Sequence, residues 1–148
     1  MRRGTPLDPD EAWRRLTVWE RHAEVVPLTR VRVVTLPPRG AGTVFVARTG
    51  VGPMAFDDRM EVVVWRPPHQ GAPGVCRLVK RGGLVVGWAE IEVRSAPAGG
   101  SRVLWREELG VRGLPRVFDP LLGRAARWMF GRAVKGLLAH PRGRGNSG

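Results

Sequence analysis

The sequence predicts an α+β fold in which an antiparallel sheet lies against one long C-terminal helix, and three observations carry that expectation. Residues 120–139 form the one long segment whose apolar positions recur at helical spacing. At about 100° per residue, Leu122, Ala126, Met129, Phe130, Ala133 and Leu137 fall on one side and Arg124, Arg127 and Lys135 on the other. Upstream, residues 29–109 alternate apolar and polar in short runs, broken by Pro-Pro, Gly-Gly and Gly-Ala-Pro-Gly links too short for crossovers. Ahead of these runs stands a short helical pair.

Taken in order, Asp8 caps a helix opened by Pro9-Asp10-Glu11, acidic residues at the positive end of its dipole, which carries Ala12, Trp13 and Leu16 inward. A second helical piece over 19–26 stops at Pro27. Six strands follow, over 29–36, 43–49, 58–66, 75–81, 84–93 and 102–109. The long helix starts at Pro120 after Asp119 and stops before Pro141. Residues 1–140 read as a single domain and 141–148 as a disordered basic tail.

Composition narrows the function classes. No apolar run reaches about 18 residues, and no signal-peptide core follows Arg2-Arg3, so a cytoplasmic protein is expected. Cys76 is the single cysteine, and His22, His69 and His140 have no ligand-like spacing, so neither a disulfide nor a metal site is expected. Ser95, Ser101 and Ser147 lie in loops or the tail, and no nucleophile and base stand together. No phosphate-binding glycine loop precedes a helix, and no cofactor is expected. The net charge of +12 points to an anionic partner, yet the arginines are spread along the chain. Arg124, Arg127, Arg132 and Lys135, continued by Arg142 and Arg144, form one positive stripe, for which weak, salt-sensitive RNA binding is expected rather than specific recognition.

The chain also resembles a known superfamily. Pro9-Asp10-Glu11-Ala12-Trp13, Trp19-Glu20-Arg21-His22, Gly42-Thr43-Val44-Phe45, Phe56-Asp57-Asp58-Arg59-Met60-Glu61 and Trp105-Arg106-Glu107-Glu108-Leu109, in this order, are similar to the polyketide cyclase/dehydrase and lipid-transport branch of the START-like (Bet v 1-like, SRPBCC) superfamily. The resemblance implies a helix-grip fold: a strongly curved sheet wrapped around the C-terminal helix, with an apolar cavity between them. It also implies a strand before the first helix. Here only 1–7 precede Asp8, and Arg2-Arg3-Gly4-Thr5-Pro6 make a poor strand, so the first strand is expected to be truncated or absent, or the chain to begin upstream. A missing strand would leave the edge of 102–109 open to a second copy and so to homodimerisation.

The expected site is the space between sheet and helix, walled by Phe45, Met60, Val62, Leu78, Lys80, Trp105, Glu107, Met129 and Ala133. On the last strand Val103, Trp105, Glu107 and Leu109 share the inner face, so Glu107 needs a partner, and Lys80, in phase with Cys76 and Leu78, is the candidate. Asp57 and Asp58 point to opposite faces and cannot act as a carboxylate pair, while His22 lies near the expected cavity mouth. Trp13 and Trp105 suit core or cavity wall, whereas Trp65, Trp88 and Trp128 sit among charges and are expected to pack under arginines. The small residues Gly123, Ala125, Ala126, Gly131, Ala133 and Gly136 leave room beside the helix. Three functions fit: a carrier or sensor of a hydrophobic molecule such as a lipid, quinone or polyketide; an aromatase/cyclase whose catalytic group would be Glu107 or another inward polar residue; and a protein that docks on RNA or anionic lipid.

Overall fold

Seven strands form one antiparallel sheet in the computed structural model, which describes residues 1–112, 124, 128, 131, 132 and 134–139. The strands are β1 (Arg2–Thr5), β2 (Thr29–Val33), β3 (Val44–Thr49), β4 (Phe56–Arg66), β5 (Gly74–Arg81), β6 (Val85–Ser95) and β7 (Ser101–Val111), in the order β1-β7-β6-β5-β4-β3-β2. From β2 to β7 each strand pairs with the next, as the short links require. Between β1 and β2 the chain runs through α1 (Pro9–Thr17), a 3-10 turn (Trp19–Arg21) and α2 (His22–Val25). The described residues near the C-terminus are helical, which with the curved sheet makes the helix-grip arrangement. None of the helices among the described residues is long and apolar enough to cross a membrane.

The first strand is present, so of the two expectations, a truncated or an absent strand, the truncated one holds. Arg2 to Thr5 pair with Leu104 to Ser101, and Met1 and Trp105 exchange backbone hydrogen bonds of 2.8 Å. Propensity is overridden because the β7 edge offers unpaired backbone groups that β1 satisfies. The strand is nevertheless short, four residues against eleven in β7. The condition on which homodimerisation was expected is therefore not met along Ser101–Leu104.

The core lies between the inner sheet face, α1 and the C-terminal helix. Ala12, Leu16, Trp19, Val62, Ile91, Val93, Val103, Val134 and Leu137 are almost completely buried. Asp8 caps α1, its Oδ1 accepting from the Glu11 amide at 2.9 Å. Glu11 in turn grips Arg14 and Arg15, whose guanidinium groups pull its carboxyl down to about 2. The buried Arg15 also donates from Nη1 to the Leu138 carbonyl at 3.1 Å, tying α1 to the last turns of the C-terminal helix.

A register shift between Val62 and Val64 on β4 corrects the reading of Trp65. Before it Met60 and Val62 face Lys80 and Leu78; beyond it Trp65 faces Cys76, so the extra residue turns Trp65 inward. There it meets Trp13 edge-on, with ring centroids 5.2 Å apart. Trp88 stays outside under Arg77, whose Cζ lies 4.6 Å from the ring, and Arg106 bonds Glu90 at 2.9 Å on the same face. Gly136 also differs from expectation: a Cβ there would meet Val25 Cγ1 at 2.8 Å, so its missing side chain admits α2 rather than a ligand. Gly123, Ala125, Ala126 and Ala133 lie outside the described residues, as do Leu122, Arg127, Met129, Phe130 and the segment 140–148.

Candidate functional site

Alternation along the sheet sends one set of side chains toward the C-terminal helix, and between them and the helical pair lies a cavity of about 460 Å³. Phe45, Met60, Leu78, Lys80, Trp105 and Glu107 stand on its wall. Val62 is placed in the closed core, with no exposed surface, and Met129 and Ala133 lie outside the described residues. The helical pair adds Trp19 and His22, and the C-terminal helix adds Trp128 with Arg132 stacked 5.0 Å from its ring.

Two rungs of the sheet explain the polar groups. Asp58 is one alternation step before Met60, and Met60 pairs with Lys80, so Asp58 and Lys80 project from neighbouring strands on the same face. They form an ion pair whose side chains are 13% and 6% exposed, and Lys80 Nζ also lies 3.7 Å from Met60 Sδ. Lys80 is the candidate partner of Glu107 from sequence; its ion pair is with Asp58. Glu107 Oε2 accepts from Trp105 Nε1 at 3.2 Å. Asp57 faces outward to Arg48 at 3.0 Å, so the two aspartates do point apart.

Breaking the inward ion pair on one side is costly because an unpaired charge remains in a poorly hydrated wall. Asp58→Ala is expected to lower stability by about 2–3 kcal/mol, less than a fully buried pair would lose because the cavity admits water. Adding Lys80→Met should restore most of it, and urea unfolding of the single and double variants measures both.

His22 sits against Trp19, centroids 5.7 Å apart, and Trp19 stacks on Phe45 at 4.6 Å with planes 9° apart. The His22 Nε2 is 2.9 Å from the Leu16 carbonyl oxygen. A carbonyl oxygen can only accept, so Nε2 carries the proton. Burial disfavours the imidazolium and pushes the His22 pKa below 6.5 despite that hydrogen bond.

Below pH 6.5 the unfolded chain takes up a proton that folded His22 resists, so stability is full above 6.5 and falls as the solution is acidified through the lower folded value. Glu11 adds a second loss between 4.5 and about 2. Burial raises the Cys76 thiol from 9.0 to about 12, so stability should also fall as pH rises across that interval. Urea unfolding against pH should show these three limbs, and His22→Gln should flatten only the first. A thiol so hard to ionise is no nucleophile.

No protein-family model matches the chain, and no curated protein does. Among solved structures it is similar to Ara h 8.0201, with a TM-score of 0.64 and 13% identity over 95% of this chain and 96% of that one. It is likewise similar to the Zhui aromatase/cyclase from Streptomyces sp. R1128, with a TM-score of 0.64 and 12% identity, covering 93% and 88%. The chain has the Bet v 1-like helix-grip fold. A third structure with this fold, the di-domain ARO/CYC StfQ from the steffimycin biosynthetic pathway, has a TM-score of 0.69 and 14% identity over 94% of this chain and 48% of that one. At such identities the likeness is one of fold, and a Bet v 1-like fold carries different functions in different proteins.

The residues that sequence reasoning left out of the site share a cause. Asp58 enters it through the pairing of β4 with β5, and Ala47 through the pairing of β3 with β4. The i, i+3 spacing of Trp19 and His22 was a usable signal, since it places both on one helical face.

Proposed function

We propose that the protein binds a small hydrophobic molecule in the cavity between its sheet and C-terminal helix, as a carrier or sensor. The observation that carries this reading is the cavity of about 460 Å³ with its mainly apolar wall, a size within the usual range for small-molecule sites. Among its charged groups Asp58 and Lys80 neutralise each other, so the wall favours an apolar guest over a strongly charged one. Burying roughly 200–300 Å² of apolar ligand surface would contribute about 5–8 kcal/mol, against a comparable cost in lost freedom. Micromolar binding is the natural outcome.

Native mass spectrometry of the protein isolated from its host tests the proposal. A discrete mass increment that disappears on denaturation is expected. Protein that arrives without a guest and also takes up no apolar probe such as 2-methylnaphthalene would contradict it.

A further inference from the structure

His22 has two ring nitrogens, and the fold uses one. Nε2 donates to Leu16, which leaves Nδ1 as a lone-pair acceptor on the neutral ring. Among the described residues no hydrogen bond reaches Nδ1, and it is not one of the polar atoms sealed from solvent without a partner. The ring lies on the cavity wall beside Trp19, and Nδ1 is the acceptor it has left to offer a guest there. Its orientation is held by the Leu16 bond and the Trp19 contact, so a ligand need not order it.

We infer that His22 Nδ1 accepts a hydrogen bond from a hydroxyl group of the ligand, and that the ligand class is therefore an apolar alcohol or phenol. The inference rests on the cavity-binding reading above and adds the chemical group recognised. A carboxylate in the same place would set an anion against a lone pair in a cavity that already holds the Asp58 and Glu107 carboxylates. A plain hydrocarbon would bury the acceptor without a partner, which costs about 1–3 kcal/mol. A hydroxyl-bearing guest avoids both.

The test compares three probes of one shape, 2-naphthol, 2-methylnaphthalene and 2-naphthoate, by equilibrium dialysis at neutral pH. The naphthol is expected to bind about five- to tenfold tighter than the methylnaphthalene, the size of one net hydrogen bond, and tighter than the naphthoate. In His22→Phe the ring is kept and both nitrogens are lost, so the naphthol preference should shrink to within about twofold while methylnaphthalene affinity holds. His22→Asn, which keeps an acceptor near the Nδ1 position, should retain the preference. Independently of any variant, the ¹⁵N resonance of Nδ1 in the unmodified protein should move on adding naphthol and stay on adding methylnaphthalene. Equal binding of naphthol and methylnaphthalene, a preference for naphthoate, a preference that survives in His22→Phe, or an unmoved Nδ1 resonance would overturn the inference and leave the cavity reading standing. Failure of all three probes to bind would bring down both.

Discussion

Gly87→Ala is expected to lower stability by about 3–5 kcal/mol, among the largest effects of any single-methyl change in the chain. Gly87 sits mid-strand in β6 with φ at +131°, a backbone conformation that side-chain-bearing residues rarely adopt. A Cβ there would lie 1.9 Å from the Glu108 carbonyl oxygen and 2.9 Å from its carbonyl carbon. Backbone cannot rotate out of the way as a side-chain tip can, so β6 and β7 would have to separate. The rung holds Lys80 on one side of Gly87 and Leu109 on the other, both on the cavity wall, so the strain falls on the site. Gly83→Ala is the control: nothing lies within 4 Å of its added Cβ, and the change should be close to neutral. Urea unfolding separates the two, and a loss below about 1 kcal/mol for Gly87→Ala would mean that the strand accommodates a side chain.

Ala47→Trp is expected to weaken binding of 2-methylnaphthalene at least about thirtyfold, roughly 2 kcal/mol, without unfolding the protein. Ala47 stands on the cavity wall between Val31 and Asp58, its register partners on β2 and β4, and both also line the space. An indole there would occupy volume the guest needs. The new ring buries apolar surface in an existing void, so stability should hold or rise by up to about 1 kcal/mol. Leu36→Ala, at a residue 90% exposed, should leave binding unchanged. Loss of binding together with loss of cooperative unfolding would instead mark Ala47 as a packing residue.

The alternation of β7 was legible because a strand's period of two is written directly into its sequence: Val103 and Trp105 are buried, Glu107 faces the cavity, and Arg102, Arg106 and Glu108 are exposed. Asp8 and Pro9 marked the start of α1 for an equally local reason. What was not legible depends on pairing. β1 forms because the β7 edge is there to receive it, and nothing in Arg2-Arg3-Gly4-Thr5 announces that edge. Trp65 turned inward through a one-residue shift that alternation alone cannot reveal. Asp58 met Lys80 because of the β4 and β5 register, whereas sequence could say only that Lys80 and Glu107 faced the same way. Gly136 was read as room for a ligand, but a small residue on a helix serves a close neighbour equally well, and Val25 is that neighbour. The open Nδ1 of His22 required knowing that Leu16 takes the other nitrogen.

Chemical-shift mapping decides whether the space between sheet and helix is a binding site. On titration with 2-methylnaphthalene, the methyl resonances of Val31, Ala47, Leu78, Val85 and Ala89 should shift together and saturate at one equivalent, while those of Val34, Leu36 and Val51 on the exterior stay in place. Shifts confined to the exterior residues, or growing without saturation across the whole surface, would contradict the account.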